Sequence, residues 1–163
     1  IRAIVHNLRE PDSDVGLVER IRRESSLSRS FLGFAPSLLI SVDGQSVNEQ
    51  KECEDHRVEL LNSRVDDSRS DDAVAIVREG LSNIARHAHA TAGAVNVELQ
   101  GSGKTGRLTV SVSDDGIGID PAHTRNSGLA NMAERARLNG GTFTVGTGLE
   151  GKGTKITWSV PLA

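Results

Sequence analysis

Residues 71–89 read DDAVAIVREGLSNIARHAH and carry the strongest helical pattern in this chain. Their apolar side chains recur mostly every three or four residues, as one face of an α-helix requires. They are Val74, Val77, Leu81, Ile84, Ala85 and Ala88. Asp71 or Asp72 stands where an N-cap residue belongs, since a short carboxylate accepts hydrogen bonds from free amides there. The pattern predicts an amphipathic helix whose apolar face packs against a core.

Strand patterns and a second long helical pattern follow this helix. Apolar and polar residues alternate, as in half-buried strands, over four stretches: 95–99, 108–112, 143–145 and 156–160. A helical pattern at 127–138 lies between the second and the third of these stretches and ends at Asn139-Gly140-Gly141. Earlier in the chain, residues 14–31 predict a helix capped by Asp14, and 37–42 an apolar strand. This order predicts an α/β (α+β) two-layer sandwich, with a mixed β-sheet covered on one face by helices.

The composition is that of an ordinary globular domain and excludes several functional classes. The 163 residues suffice for one domain with a core. A net charge of −3, three Phe, one Trp and no Tyr argue against nucleic-acid binding, which requires a basic field or stacking platforms. No apolar run approaches the ~20 residues that span a bilayer. Cys53 is the single cysteine, so we expect no disulfide within the chain and a reducing, cytoplasmic compartment.

Two stretches lie outside these patterns. Residues 1–9 predict the last turns of a helix that Pro11 ends, and because the chain does not begin with Met we expect a fragment. From 43 to 70 the sequence is polar and charged. We interpret 43–70 as an inserted loop that is either helical or mobile in part.

The most conspicuous motif, GSGKTG at residues 101–106, matches the G-x-G-x-x-G pattern and contains the Gly-Lys-Thr of a Walker A loop. Both loops bind phosphate through the amides of a helix that leaves the loop. Here an alternating strand leaves it, and Glu98 stands where the first Walker A glycine is required. We therefore predict a solvated hairpin turn.

The main helix also carries a polar group at positions i, i+4, i+7 and i+8: Glu79, Asn83, Arg86 and His87. This spacing places them on the face roughly opposite the apolar residues. A solvated helix face accounts for such a pattern. A carboxylate, an amide oxygen and two phosphate-binding groups on one surface also suit a magnesium phosphate. The spacing alone does not decide between the two interpretations.

Three glycine motifs are each ambiguous alone. DDGIGI at 114–119 follows a strand, and its first carboxylate and its glycines would suit a flat ligand with a buried amine; Asp-Gly is also a common turn. The stretch 126–129 either presents helix-start amides to an anion or is an ordinary cap. GKGT at 151–154 by itself indicates a hairpin turn.

Together and in this order, these sites resemble the catalytic ATP-binding domain of sensor histidine kinases, in the GHKL superfamily that includes gyrase and MutL. REGLSNIARHA at 78–88 matches the N box, 114–118 the G1 box, 128–132 the G2 region and 151–154 the final glycine box. The resemblance covers about residues 14–163 and implies the Bergerat ATP-binding fold. Glu79, the form Gly-Leu-x-x-Met-x-x-Arg-Ala from residue 128 and a very short lid resemble kinases paired with NarL-type regulators, among them actinobacterial oxygen and redox sensors.

The resemblance implies a role for each matched residue. Asp114 would accept a hydrogen bond from the adenine amine, and Thr154 would support Asp114 or a water beside the adenine. Asn83 would hold Mg²⁺ between the phosphates. Glu79, which activates water in related ATPases, would orient the phosphoacceptor or a metal-bound water. The remaining nucleotide-binding residues would be Arg86, His87, Gly116, Gly118, Ile119, Gly128, Leu129, Gly151 and Gly153.

The implied activity is transfer of the ATP γ-phosphoryl group to a histidine on the dimerisation domain of the same kinase, and onward to a response regulator. An anti-sigma-factor-like serine kinase is the alternative within the superfamily, and a non-catalytic pseudokinase is a third possibility. No zinc is expected, because His87, His89 and Cys53 lack further ligands at suitable spacing. The fragment should be monomeric, whether the whole kinase is soluble or membrane-attached.

The chain also departs from the family. The lid between Ile119 and Gly128 is shorter than the usual flap, which predicts weak nucleotide binding by the isolated chain. The family's phosphoacceptor histidine is followed by an acidic residue, whereas His6 precedes Asn7 and His56 precedes Arg57. Residues 1–10 instead resemble the end of the dimerisation helix. The chain should therefore bind ATP without phosphorylating itself.

Overall fold

A six-stranded mixed sheet forms one layer of the computed structural model, which describes residues 15–47, 56–117 and 128–163 apart from the side chains of His87 and Ala88. The strands are β1 (Ser37–Val42), β2 (Gln45–Ser46), β3 (Gly93–Gln100), β4 (Arg107–Asp114), β5 (Thr142–Thr147) and β6 (Thr154–Pro161). Their order across the sheet is β2-β1-β3-β4-β6-β5, with β1 and β3 parallel and the other neighbours antiparallel.

Helices form the second layer. They are α1 (Leu17–Leu32), α2 (His56–Arg64), α3 (Asp67–Asn83) and α4 (Leu129–Leu138). A π-helical turn, Ile84–Ala88, continues α3, and short 3₁₀ turns lie at Gly103–Thr105 and Leu149–Gly151. No helix in the described ranges combines the length and the apolar character needed to cross a membrane. The predicted two-layer sandwich with a mixed sheet is confirmed.

The core lies between the sheet and the helices because successive strand residues point to opposite faces. One row across the sheet pairs Val97 with Val110, Val110 with Trp158, and Trp158 with Phe143. The first three of these side chains are almost fully buried. The polar residues that alternate with them, such as Asn96, face away from the core. The period read from the sequence therefore assigns the inner face of β3, β4 and β6, whereas in the edge strand β5 the predicted inward residue Val145 is exposed.

Helix α3 begins one turn earlier than predicted. Asp66 is its N-cap, and the Asp66 carboxylate accepts the Arg69 N–H at 2.8 Å. Asp71 and Asp72 therefore lie inside the helix, and the N-cap predicted there is wrong. Asp71 instead pairs with Arg20 of α1 at 2.8 Å, and Asp72 binds Arg135 and Asn139 of α4. Because the helix begins before them, both carboxylates lie within α3 and connect it to neighbouring helices.

The described part of the stretch 43–70 contains both strand and helix. β2 pairs with the end of β1, and α2 carries Leu61 into the core, where Val65 joins it. The described part of this stretch is therefore largely helical, which was one of the two expected alternatives, and it is not a plain loop because its few apolar residues pack against the core. Residues 1–14, which include Asp14 and the predicted helix end, lie outside the described residues; Gly16 is the N-cap of α1.

GSGKTG forms the turn between β3 and β4, as predicted. Gln100 and Arg107 are the last paired residues of the hairpin, and the motif's middle residues form the short 3₁₀ turn. Strand β4 leaves the motif, so it lacks the helix N-terminus that a phosphate-binding loop needs.

Candidate functional site

Helix α3 lies unusually close to the sheet at Gly80. A Cβ atom at this position would be 2.9 Å from Cβ and Cγ2 of Val112 and 3.0 Å from Cδ1 of Ile156. Only glycine permits this approach to β4 and β6. The sequence analysis did not single out Gly80. The signal was available, since a glycine within a helix costs roughly 1 kcal/mol relative to alanine and needs a packing or functional reason.

Asn83 follows one turn later and is buried, with 5% of its surface exposed. Neither Nδ2 nor Oδ1 of its side chain has a hydrogen-bonding partner among the described residues. A solvated helix face, one of the two interpretations of the spacing, does not account for Asn83, because α1 and the sheet both pack against α3. An unpaired buried amide costs about 1–3 kcal/mol in a folded protein. A buried polar group of this kind is a candidate ligand-binding group.

Glu79 and Arg86 lie together beside the start of α4. The Arg86 guanidinium donates to Ser82 Oγ at 2.8 Å and lies 3.5 Å from Glu79 Oε1. The Glu79 carboxylate lies against Gly128, the N-cap of α4, where any Cβ atom would overlap it. Gly128 also has a φ of 78°, which favours glycine. The structure thus brings the N-box residues and the G2 glycine together, at a helix N-terminus that favours anions.

Arg86 and His87 belong to the π-helical turn Ile84–Ala88 rather than to regular α-helix. The turn ends at His89, whose φ of 50° and ψ of 42° are left-handed. Such turns are rare and occur frequently at functional sites. The backbone here holds an uncommon geometry where the sequence predicts phosphate contacts. The position of the His87 side chain lies outside the described residues.

Asp114 ends β4 with 3% of its surface exposed. Its Oδ1 accepts the Gly116 N–H at 2.8 Å, and the Thr154 N–H also donates to the carboxylate. A Cβ atom at Gly153 would overlap Oδ1, and the φ of Gly153 is 67°. Burial raises the pKa of Asp114 although these amide hydrogen bonds oppose the shift. The G1 box and the final glycine box therefore meet at one buried carboxyl group.

Two residues that the sequence analysis did not assign complete this region. A Cβ atom at Gly148 would overlap the Asp114 carbonyl oxygen. The Asp115 carboxylate accepts hydrogen bonds from the Thr91 hydroxyl and from the amides of Thr91 and Ala92. These donors, the hydroxyl first, lower the pKa of Asp115 to about 2. The sequence shows Asp114 and Asp115 side by side, but it does not show the hydrogen-bonding partners of Asp115.

The other predicted site residues are less closely joined. Leu129 is the first residue of α4 and is half-buried. Gly151 has a φ of 77°, and no described atom lies within 4 Å of the place where its Cβ would be. Its conformation thus suits a turn and gives no contact with Asp114. Gly118 and Ile119, with the lid, lie outside the described residues.

These clusters lie on a mixed sheet with helices on one face. A comparison with known protein families identifies a family of ATP-binding domains. Residues 68–163 match the family described as "Histidine kinase-, DNA gyrase B-, and HSP90-like ATPase". The match includes nearly all of α3 and the whole chain after it, and hence every site residue named above. It covers more than half of the chain, and the chain belongs to this family of ATP-binding domains.

Curated relatives are longer kinases. The chain is 39% identical over 87 residues to the histidine-protein kinase/phosphatase UhpB of Salmonella typhimurium, which is 53% of this chain and 16% of UhpB. It is 28% identical over 168 residues to the sensor histidine kinase LiaS of Bacillus subtilis, which is 93% of this chain and 45% of LiaS. The chain therefore spans less than half the length of either relative.

Solved structures share the fold at low sequence identity. The histidine kinase domain of the Erythrobacter litoralis EL346 blue-light activated kinase matches with a TM-score of 0.55 and 22% identity, over 91% of this chain and 62% of that one. The ATP binding domain of PrrB from Mycobacterium tuberculosis matches with a TM-score of 0.51 and 16% identity, over 90% and 94%. The predicted family and fold are confirmed.

Proposed function

We propose that this chain is the catalytic domain of a two-component sensor histidine kinase. It binds Mg-ATP and donates the γ-phosphoryl group to a histidine on the dimerisation domain of the same kinase, for onward transfer to a response regulator. The names of the curated relatives UhpB and LiaS support the kinase assignment. The observation that carries the proposal is the buried Asn83 amide without a partner among the described residues, on the helix that also bears Glu79 and Arg86.

The residues present fit Mg-ATP. Mg²⁺ prefers oxygen ligands and commonly combines few protein ligands with substrate phosphates, which suits the Asn83 amide oxygen. When bound, the ion neutralises charge on the transferring phosphoryl group. Arg86 and His87 would contact phosphate oxygens, and the backbone amides at Gly128 and Leu129 would do the same from the start of α4.

The adenine end fits the second cluster. Asp114 is the acceptor for the exocyclic amine, a role that favours adenine over guanine, which carries a carbonyl oxygen at that position. Gly116, Gly118 and Ile119 lie along the base in this proposal. The same side of the base is also lined, in this proposal, by Gly151, Gly153 and Thr154. The Thr154 N–H donates to Asp114.

Phosphoryl transfer asks mainly for positioning and charge neutralisation. The unprotonated ring nitrogen of the acceptor histidine attacks the γ-phosphorus. The bond from that phosphorus to the β–γ bridging oxygen breaks, and ADP leaves with its electron pair. The other ring nitrogen holds a proton; in this proposal the Glu79 carboxylate accepts a hydrogen bond from that N–H and so orients the acceptor ring.

The finer assignment follows from the G2 form at 128–136. We assign the kinase to the class paired with NarL-type regulators, with the actinobacterial oxygen and redox sensors as its nearest functional group. ATP and response regulators are cytoplasmic, so the proposal places this domain in the cytoplasm. In this proposal residues 14–163 form the ATP-binding domain, with 43–70 as a polar insertion in it, and residues 1–10 are the end of the dimerisation helix.

Calorimetry with ADP and ATP, with and without Mg²⁺, tests the nucleotide step. We expect Asn83→Ala to abolish the magnesium-dependent part of the affinity, because the variant loses the amide oxygen. Asp114→Asn should reduce the preference for adenine over guanine nucleotides. Asn96→Ala is the matched control, since Asn96 lies on the sheet face away from the core and should leave binding unchanged. A folded chain that binds no nucleotide would contradict the proposal and favour a pseudokinase.

Transfer is tested separately. Radiolabelled ATP, this chain and a histidine-bearing dimerisation domain should yield acid-labile phosphohistidine, whereas Glu79→Gln should slow its formation. Acid-stable phosphoserine on an anti-sigma-factor antagonist, without phosphohistidine, would favour the serine-kinase alternative.

A further inference from the structure

We propose that Asp115 is a positioning residue for the nucleotide. Its carboxylate holds residues 89–92, which follow the π-helical turn Ile84–Ala88, in a fixed position relative to Asp114, the proposed adenine-binding residue. The inference rests on the proposed function, because it assumes that one ligand spans both groups. Asp115 itself makes no ligand contact in this proposal.

Among the described residues, the hydrogen-bonding partners of the Asp115 side chain lie in one neighbouring segment. Oδ1 accepts the N–H groups of Thr91 at 2.8 Å and of Ala92 at 2.9 Å, and Oδ2 accepts the Thr91 hydroxyl at 2.7 Å. The Asp115 N–H in turn donates to the Ala92 carbonyl at 3.2 Å. This bond extends the β3–β4 ladder one step beyond the pair Gly93 and Asp114. Four hydrogen bonds thus join two short pieces of backbone.

One of these pieces leads directly to the predicted phosphate contacts. Residues 89–92 follow the π-helical turn that carries Arg86 and His87, and His89 has a left-handed backbone. Such sparsely populated conformations persist only where surrounding structure holds them. The hydrogen bonds of Asp115 lie two and three residues beyond His89, so they restrain the end of the turn.

The other piece is the adenine side. Asp115 directly follows Asp114, whose carboxylate accepts the Gly116 N–H. The restraint therefore acts between the two ends of a single ligand, and misplacement by about 1 Å can cost up to ~100-fold in a reaction that depends on positioning. Charge-assisted hydrogen bonds suit this task, since they are shorter and stronger than neutral ones.

The test compares Asp115→Ala and Asp115→Asn with a matched control, Asp43→Ala. Asp43 performs the same kind of bonding at the opposite end of β3: it accepts the Gly101 N–H at 2.9 Å, and its N–H donates to the Leu99 carbonyl at 2.8 Å. The dissociation constants of Mg-ADP and of adenosine are measured by calorimetry and NMR titration, well below the unfolding temperature of every variant.

We expect Asp115→Ala to weaken Mg-ADP binding about tenfold, and adenosine binding less, because adenosine lacks the phosphates that must meet the turn. Asp115→Asn keeps an acceptor oxygen and should restore part of the affinity. Asp43→Ala should lower the unfolding temperature without changing either dissociation constant. Thr91→Val should weaken Mg-ADP binding in the wild-type background. In the Asp115→Ala variant the same substitution should weaken binding by a smaller factor, because the effects of substituting two residues in contact are not additive.

Three outcomes would overturn the inference while leaving the proposed function intact. They are unchanged Mg-ADP affinity in a folded Asp115→Ala variant, equal losses for ADP and adenosine, and an equal loss in Asp43→Ala. Failure of the wild-type chain to bind nucleotide would overturn the proposed function and this inference with it.

Discussion

Asp114 and Asp115 are neighbours in the chain, yet their carboxyl groups experience opposite environments. Burial raises the pKa of Asp114, because desolvation disfavours the charged form more than the Gly116 and Thr154 amides favour it. Donors from Thr91 and Ala92 lower the pKa of Asp115 to about 2, since they bind the ionised form. The ionised Asp114 carboxylate thus lowers the stability of the fold, as expected of a group that binds ligand. The ionised Asp115 carboxylate stabilises the fold.

The two residues should therefore affect stability with opposite pH dependence. Ionised Asp114 costs stability, so wild type should lose stability relative to Asp114→Asn as pH rises from the ordinary aspartate value of about 3.9 through its raised value. Asp115→Asn is the control: wild type should gain stability relative to it as pH rises from about 2 to about 4. Thermal unfolding from pH 2 to 7 measures both differences. The same sign in both variants would contradict the electrostatic assignment.

At the scale of elements, α3 combines packing and function along one helix. Its first turn is capped by Asp66, and its last turn touches the sheet at Gly80. Asn83 and the π-helical turn follow within eight residues of that contact. The depth of Asn83 therefore depends on how closely the helix approaches β4. A change that moves the helix outward should affect both stability and ligand binding.

Gly80→Ala tests this coupling. Alanine favours helix by roughly 1 kcal/mol over glycine, but its methyl group would lie 2.9 Å from Val112. Overpacking of this kind typically costs about 1–3 kcal/mol, so we expect a net loss of stability together with weaker Mg-ADP binding. Urea unfolding and calorimetry measure the two effects. Gly146→Ala is the control, because no described atom lies within 4 Å of the new methyl group. Unchanged unfolding and binding in Gly80→Ala would show that α3 adjusts freely.

At the scale of the whole molecule, the site gathers residues that are far apart in the chain. Glu79 and Asn83 come from α3, Asp114 from the end of β4, Gly128 from the start of α4, and Gly153 from the turn before β6. A ligand that binds all of these elements stabilises only the folded state. Trp158 is the sole tryptophan and is fully buried in the core, so its fluorescence reports global unfolding.

Mg-ADP should therefore raise the unfolding temperature. At about 100 times the dissociation constant, binding adds roughly 2.7 kcal/mol, which corresponds to a rise of roughly 5–10 °C for a domain of this size. Trp158 fluorescence during heating measures the shift. At the same concentrations, Mg-GDP should give a smaller shift, and Asn83→Ala should respond to Mg-ADP no more than to ADP alone. Equal shifts with both nucleotides would contradict adenine selection by Asp114.

The local sequence patterns were sufficient to predict most of the helices and strands and to identify the motifs. Alternation at 95–99 and 156–160 predicted β3 and β6, and the strand leaving GSGKTG excluded a phosphate-binding loop. The start of α3 was predicted wrongly, because Asp66, Asp71 and Asp72 are all chemically suitable caps. The choice among them depends on how far packing against α1 and α4 extends the helix, and local sequence does not contain that information.

Local sequence patterns were enough to predict the order of the strands and helices outside 43–70, the inner faces of β3, β4 and β6, and the residue types of the N, G1, G2 and final glycine boxes. Periodicity and turn chemistry act over a few residues, so a single sequence displays them. Three facts required the folded structure: Asn83 is buried without a partner among the described residues, Gly153 lies against Asp114, and Asp115 joins the end of β4 to Thr91. These facts arise from contacts between distant segments, and burial, pKa shifts and ligand geometry are set by such contacts.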